Sequence, residues 1–137
     1  MKKVIILITM MISLVGCATL QETKVDSPQA VESVVEVTNI EYNLINIFPG
    51  QGLTVGFDDA GRIFGYSGLN RYFGKADIKD GRIVVDPLAS TKMGGTREAL
   101  IREDQFLTLL KSMTKISKTG DKLILTNTKG EQLIFSK

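Results

Sequence analysis

Residues 65–74 read GYSGLNRYFG, with Gly65, Gly68 and Gly74 set into a stretch that otherwise alternates like a β-strand. Glycine inside such a pattern marks a bulge, a sharp bend, or a point where another backbone comes close. Asn70 tolerates left-handed backbone and can bond its own chain at a turn. On this reading Tyr66, Tyr72 and Phe73 supply core or half-buried rim, and Arg71 a paired or stacked cation. A carbohydrate- or peptide-binding aromatic face is the alternative reading, and composition favours the architectural one. The stretch therefore points to a curled sheet.

Working outward, the flanks keep a period of two. IEYNLINI (40–47) reads as a strand. LTVGFD (53–58) alternates Leu53, Val55 and Phe57, turns through residues 58–61, and returns as RIFGYS (62–67). RYFGKADI (71–78) turns at KDG (79–81) into RIVVD (82–86), and Pro87, with no amide hydrogen for a ladder, is expected to end that run. KLILT (122–126) turns at NTKG (127–130) into QLIFS (132–136). These turns hold the Asp-Gly and Lys-Gly pairs that supply positive φ.

One segment breaks the rhythm. In REALIREDQFLTLLKSM (97–113), Leu100, Glu103, Phe106, Leu107, Leu110 and Met113 recur at spacings of three and four, without Gly or Pro. Thr96 is placed to cap this helix, with Glu98 near the positive end of its dipole. The fold expected is a β-rich α+β domain. A strongly bent antiparallel or barrel-like sheet is covered by the Phe106, Leu110 and Met113 face of one helix over about 97–113.

The N-terminus has a different character. Lys2 and Lys3 precede an apolar run from Val4 to Val15, shorter than the roughly 20 residues that a spanning helix needs. That arrangement fits a signal peptide over residues 1–16. LVGC (14–17) resembles the lipobox of bacterial lipoproteins, in which Cys17 would accept the lipid. Anchoring by two or three acyl chains is stable where one is marginal. Ala18 after the cysteine tilts sorting toward the periplasmic face of the outer membrane and away from the inner membrane. Residues 17–39 read as lipidated cysteine plus solvated tether, although VESVVEV (31–37) could add an edge strand. Residues 40–137 suffice for one domain with a modest core.

Chemistry is sparse. Once Lys2 and Lys3 are removed, the 17 basic residues no longer outnumber the 15 acidic ones, so no electrostatic footprint for nucleic acid remains. Histidine is absent, and the single cysteine is assigned to lipid, which removes Ser-His and Cys-His pairs and imidazole metal sites. Ser112 to Lys115 matches S-x-x-K and Lys118 to Gly120 matches K-T-G, but they lie too close together for the penicillin-binding arrangement. A helix C-terminus running into a glycine turn explains both. Asp58, Asp59, Asp77, Asp80 and Asp86 lack EF-hand spacing. Neither a catalytic residue nor a metal or cofactor site is expected.

Three ordered blocks carry a resemblance. GYSGLNRYFGKADI, then LASTKMGG, then REDQFLTLL resemble the META domain, also called the heat-shock protein HslJ family. Gly65, Gly68, Asn70, Tyr72 and Gly74 fall on its first motif; Ser90, Thr91, Lys92 and Met93 on its second; Glu103, Phe106, Leu107 and Leu110 on its helix. The resemblance implies a compact β-barrel-like domain with one helix, often on envelope lipoproteins and linked to stress or novobiocin tolerance. Two family cysteines correspond to Leu69 and Gly95, so the resemblance implies a disulfide lost here. The expected protein is non-enzymatic and lipid-anchored, acting through binding or structural support on an envelope partner. An envelope protease inhibitor or peptide-binding module using an edge strand or hairpin is the alternative.

Overall fold

The computed structural model describes residues 37–137. The expected signal peptide, Cys17 and the expected tether up to residue 36 lie outside the described residues. Eight strands form a closed antiparallel barrel in sequential order: β1 (Ile40–Leu44), β2 (Thr54–Phe57), β3 (Arg62–Tyr66), β4 (Arg71–Lys79), β5 (Arg82–Ser90), β6 (Met113–Thr119), β7 (Lys122–Asn127) and β8 (Gln132–Ser136). A single helix among the described residues, α1 (Arg97–Ser112), joins β5 to β6. This is the barrel-like α+β fold that the alternation and the one helical segment predict.

The alternation explains the closure. Val55, Ile63, Tyr72, Ile83, Leu123, Leu125, Leu133 and Phe135 point inward and are buried, while their chain neighbours, buried Gly56 excepted, face solvent or the half-buried rim. Between β4 and β5 the two-residue loop Asp80-Gly81 has φ of 51° and 72°, the paired positive values of a type I′ hairpin. β1 meets β8 at Asn43 and Leu44, and Asn46 extends the seam with its side chain. Its Nδ2 donates to the Gln132 carbonyl at 2.8 Å, and its Oδ1 accepts from the Ile134 amide at 2.9 Å.

The β5–β6 seam is the thin one. Its ladder consists of Arg82 opposite Lys115, with the Ile116 amide donating to the Gly81 carbonyl at 2.9 Å. α1 packs against β5 there. Phe106 and Leu110 are fully buried, and the Phe106 ring meets Tyr72 edge-on at 5.8 Å. Each such side chain contributes about 2–3 kcal/mol on burial, which holds a helix that would be marginal alone. Thr96 caps it, its Oγ1 accepting from the Ala99 amide at 3.2 Å.

Five expectations need correction. Pro87 does not end its strand: Gly74 pairs with Leu88 and Ala76 with Val85, so Asp86 and Pro87 both stand opposite Lys75 in a bulge. A bulge spares proline a ladder bond. Residues 113–119 are strand β6 rather than a helix end and turn. The first strand stops at Leu44. Phe73 is 55% exposed, rather than in the core or half-buried rim, and Leu100, although in step with the helical period, is 47% exposed. The tether stops short of residue 39, since Val37 is buried and Thr38 bridges Phe57.

Candidate functional site

Asn70 immediately precedes β4, at the close of the turn that begins at Ser67. Gly68 takes φ +88° in that turn, a conformation that side-chain-bearing residues rarely adopt. Ser67, buried, closes it: its amide and its Oγ both donate to the Asn70 carbonyl, at 2.9 and 2.7 Å. Asn70 is thereby left with ordinary negative φ and a side chain aimed away from its own turn. The local turn bond expected of Asn70 is made by Ser67, and the amide of Asn70 reaches distant segments instead.

That amide is satisfied on all sides. Its Oδ1 accepts from the Met93 amide at 2.7 Å and from Thr91 Oγ1 at 3.1 Å. Its Nδ2 donates to Glu103 Oε2 at 2.8 Å and, more weakly, to the Met93 carbonyl at 3.4 Å. One buried side chain therefore ties the start of β4, the segment after β5, and the middle of α1. Asn70, Thr91 with Met93, and Glu103, which stand in three separate sequence blocks, are brought together here.

Gly65 and Gly74 act by lacking a side chain. Tyr72 is buried, and its hydroxyl donates to the Thr54 carbonyl at 2.5 Å. A Cβ on Gly65 would run into both groups, so glycine opens the path for that bond. At Gly74 a Cβ would strike the Pro87 carbonyl across the bulge. Burial pushes the Tyr72 phenol well above the ordinary tyrosine range, with the Glu41 charge adding to it. Leu69 and Gly95 adjoin, since a Cβ on Gly95 would lie 2.6 Å from Leu69 Cδ1.

Above this clamp, α1 and residues 90–94 enclose a surface groove of about 340 Å³. Met93, Leu100 and Leu107 give it apolar walls, and its charged lining is the buried Glu103 with the exposed Asp104 and Lys92. On the barrel's outer face, Arg71 Nη1 pairs with Glu41 Oε1 at 3.1 Å, and Glu41 also accepts from Thr54 Oγ1. Thr54 Oγ1 in turn accepts from the Tyr66 amide at 2.9 Å. Thr54 and Ser67 carry no site signal in the sequence; each acts through partners distant in sequence or through a turn that composition does not resolve.

The remaining candidates do not assemble. Ser112 Oγ donates to the Leu109 carbonyl at 2.6 Å and accepts from Asn127 Nδ2 at 3.2 Å, while Lys115 is exposed on β6. Asp58 Oδ1 accepts from the Ala60 and Arg62 amides, and its Oδ2 pairs with Arg62 Nε at 2.6 Å. The Arg62 amide and guanidinium hold its pKa below the usual range, against a partial desolvation that raises it. Among the described residues no three Cys, Asp or Glu side chains gather closely enough to hold a metal ion.

A closed eight-stranded antiparallel barrel, plugged by one helix and clamped through a buried asparagine, defines a class of small β-barrel domain. Residues 35–137 match the META domain, and the chain belongs to the META-domain family. Its fold is similar to an NMR structure of a protein from Burkholderia xenovorans, 20% identical, over 77% of this chain and 86% of that one, with a TM-score of 0.61. A second NMR structure, 18% identical, matches over 74% and 92% with a TM-score of 0.58. At these identities the likeness is one of fold. No curated protein matches the chain.

Proposed function

We propose that this META-domain protein is lipid-anchored in the cell envelope and works by binding a partner during stress, without catalysing a reaction. The observation that carries the reading is the state of the family-motif polar groups. Asn70, Thr91 and Glu103 hydrogen-bond one another and the backbone, so they build a rigid groove and leave no activated nucleophile or base pair beside it. The alternative, strand addition to an envelope protease, has less support, because a closed barrel offers few free edges.

The anchor is tested with Cys17→Ser, because a serine hydroxyl does not replace the thiolate as lipid acceptor. Wild type should enter the detergent phase on phase separation, and the variant should stay in the aqueous phase. Equal partitioning would remove the anchor. Binding is tested by placing a photo-crosslinking residue at Leu100 and irradiating whole cells. A single envelope protein captured in stoichiometric yield is expected, and a crosslinker at Lys122, on the far hairpin, should not capture it. An inhibitor role would show instead as a captured protease that loses activity in the complex.

A further inference from the structure

We infer that the groove between α1 and residues 90–94 receives a lysine or arginine side chain, flanked by apolar residues, from a protein partner. The inference rests on the binding function proposed above and supplies the chemistry of the partner at the same groove.

The starting point is a carboxylate without a cation. Glu103 is only 7% exposed, and acids buried to that degree are ordinarily paired. Among the described residues no lysine or arginine forms an ion pair with it; the pairs found are Arg62 with Asp58 and Arg71 with Glu41. Oε2 accepts from Asn70, whose neutral amide fixes the carboxylate without cancelling its charge. Oε1 has no donor among the described residues. Arg102 Nε is the one fully buried side-chain polar atom lacking a partner among the described residues, so Oε1 keeps some solvent contact, and Glu103 is one of the residues that line the groove. Asp104 adds a second negative charge to the lining, against Lys92 as its one cation.

The walls decide what kind of cation fits. Met93 and Leu100 are 62% and 47% exposed, and both line the opening around that carboxylate. A hydrated metal ion would leave these apolar surfaces unused, and no cluster of three ligating side chains is present among the described residues to hold one. A long side chain with a charged tip uses both features, its methylene stem on the walls and its head on the carboxylate. About 340 Å³ is at the small end of ligand sites, which suits one side chain and its neighbours. The energetic logic is a charge-assisted hydrogen bond made in a partly desolvated setting.

The test uses the full chain in neutral detergent, labelled with nitrogen-15 and titrated with the peptide acetyl-Ala-Leu-Lys-Leu-Ala-amide. Amide signals of Met93, Leu100, Glu103 and Leu107 should shift saturably, and binding should weaken with added salt. A peptide with norleucine in place of lysine should bind about tenfold more weakly, and so should the chain carrying Glu103→Gln, which keeps an acceptor for Asn70. Lys92→Ala, at an exposed position, should tighten binding a few-fold by removing the competing ammonium. Leu100→Ser, also exposed, should weaken it a few-fold and serves as a second variant if Glu103→Gln perturbs the fold. Unchanged affinity in Glu103→Gln and Lys92→Ala, or no saturable shift at these amides, overturns the inference. Shifts that grow with protein concentration alone would assign the groove to a second copy, and overturn it too. If the peptide fails while the Leu100 crosslinker still captures an envelope partner, the binding function stands and this inference alone falls. Peptide binding without any capture would support the groove's preference for a cationic side chain and count against the envelope partner proposed above.

Discussion

Asn70 and Arg71 are neighbours in the chain, yet the fold uses them oppositely. Asn70 is buried with both ends of its amide bonded, so Asn70→Ala removes several hydrogen bonds and strands Glu103 and the Met93 amide. We expect a loss of about 2–4 kcal/mol in urea melts. Arg71 lies on the surface, its side chain 62% exposed and paired to Glu41, and Arg71→Ala should change stability by no more than about 0.5 kcal/mol. The reverse order would mean that Arg71 and not Asn70 holds the barrel mouth. Tyr72 gives a test by pH. Its folded pKa is raised, so above pH about 10 the unfolded phenol ionises while the folded one keeps its proton. Stability from this group is present below that pH and lost as pH rises through it. Tyr72→Phe should cost about 1 kcal/mol near neutrality, for the bond to Thr54, and the gap to wild type should narrow between pH 10 and 11. A gap that stays constant would show that the phenol is not desolvated.

At the scale of elements, α1 is legible because its period is undisturbed, and β6 is not because its period is broken. In β6, Met113 and Ile116 are the buried residues, three apart rather than two, since the register with β7 shifts between Met113 and Lys115. The β4–β5 bulge hides Pro87 in the same way. Contacts between elements make the second test. A Cβ on Gly95 would touch Leu69, and Gly95 does not hold a positive φ. Leu69→Cys with Gly95→Cys should therefore form a disulfide in air. Chain entropy for a loop of about 27 residues predicts about 3.5 kcal/mol of stabilisation. Loss of the Leu69 side chain subtracts roughly 1–2 kcal/mol, and the remaining gain should vanish on reduction. Thiol titration checks the bridge, and a double variant that stays reduced would show that the two segments do not face each other as described.

At the scale of the whole molecule, the question is where the folding unit starts. Val37 is buried to 1% and Thr38 bridges Phe57, so the unit extends ahead of the first regular strand. A chain beginning at residue 35 should melt with the midpoint of a longer one. A chain beginning at residue 39 should lose about 1.5–2 kcal/mol with the burial of Val37. Equal stability of the two would return residues 37 and 38 to the tether.

Local pattern alone determined a good part of this protein. Alternation in residues 53–86 and 122–136, the turn pairs, and the unbroken period of residues 97–112 specify hairpins and one helix, because each depends on neighbours a few positions away. The ordered glycine, Ser-Thr-Lys-Met and helix blocks further indicated the META domain. The pattern leaves a strongly bent sheet and a closed barrel both open, and tertiary structure decided for closure, since the pairing of Asn43 with Ser136 joins the first strand to the last. It also decided what Asn70 does. Its partners lie 21, 23 and 33 residues away, beyond the reach of any local propensity. The unpaired charge of Glu103 is a tertiary fact as well: on its helix it is one acid among several, and only the burial imposed by the barrel makes a missing cation matter.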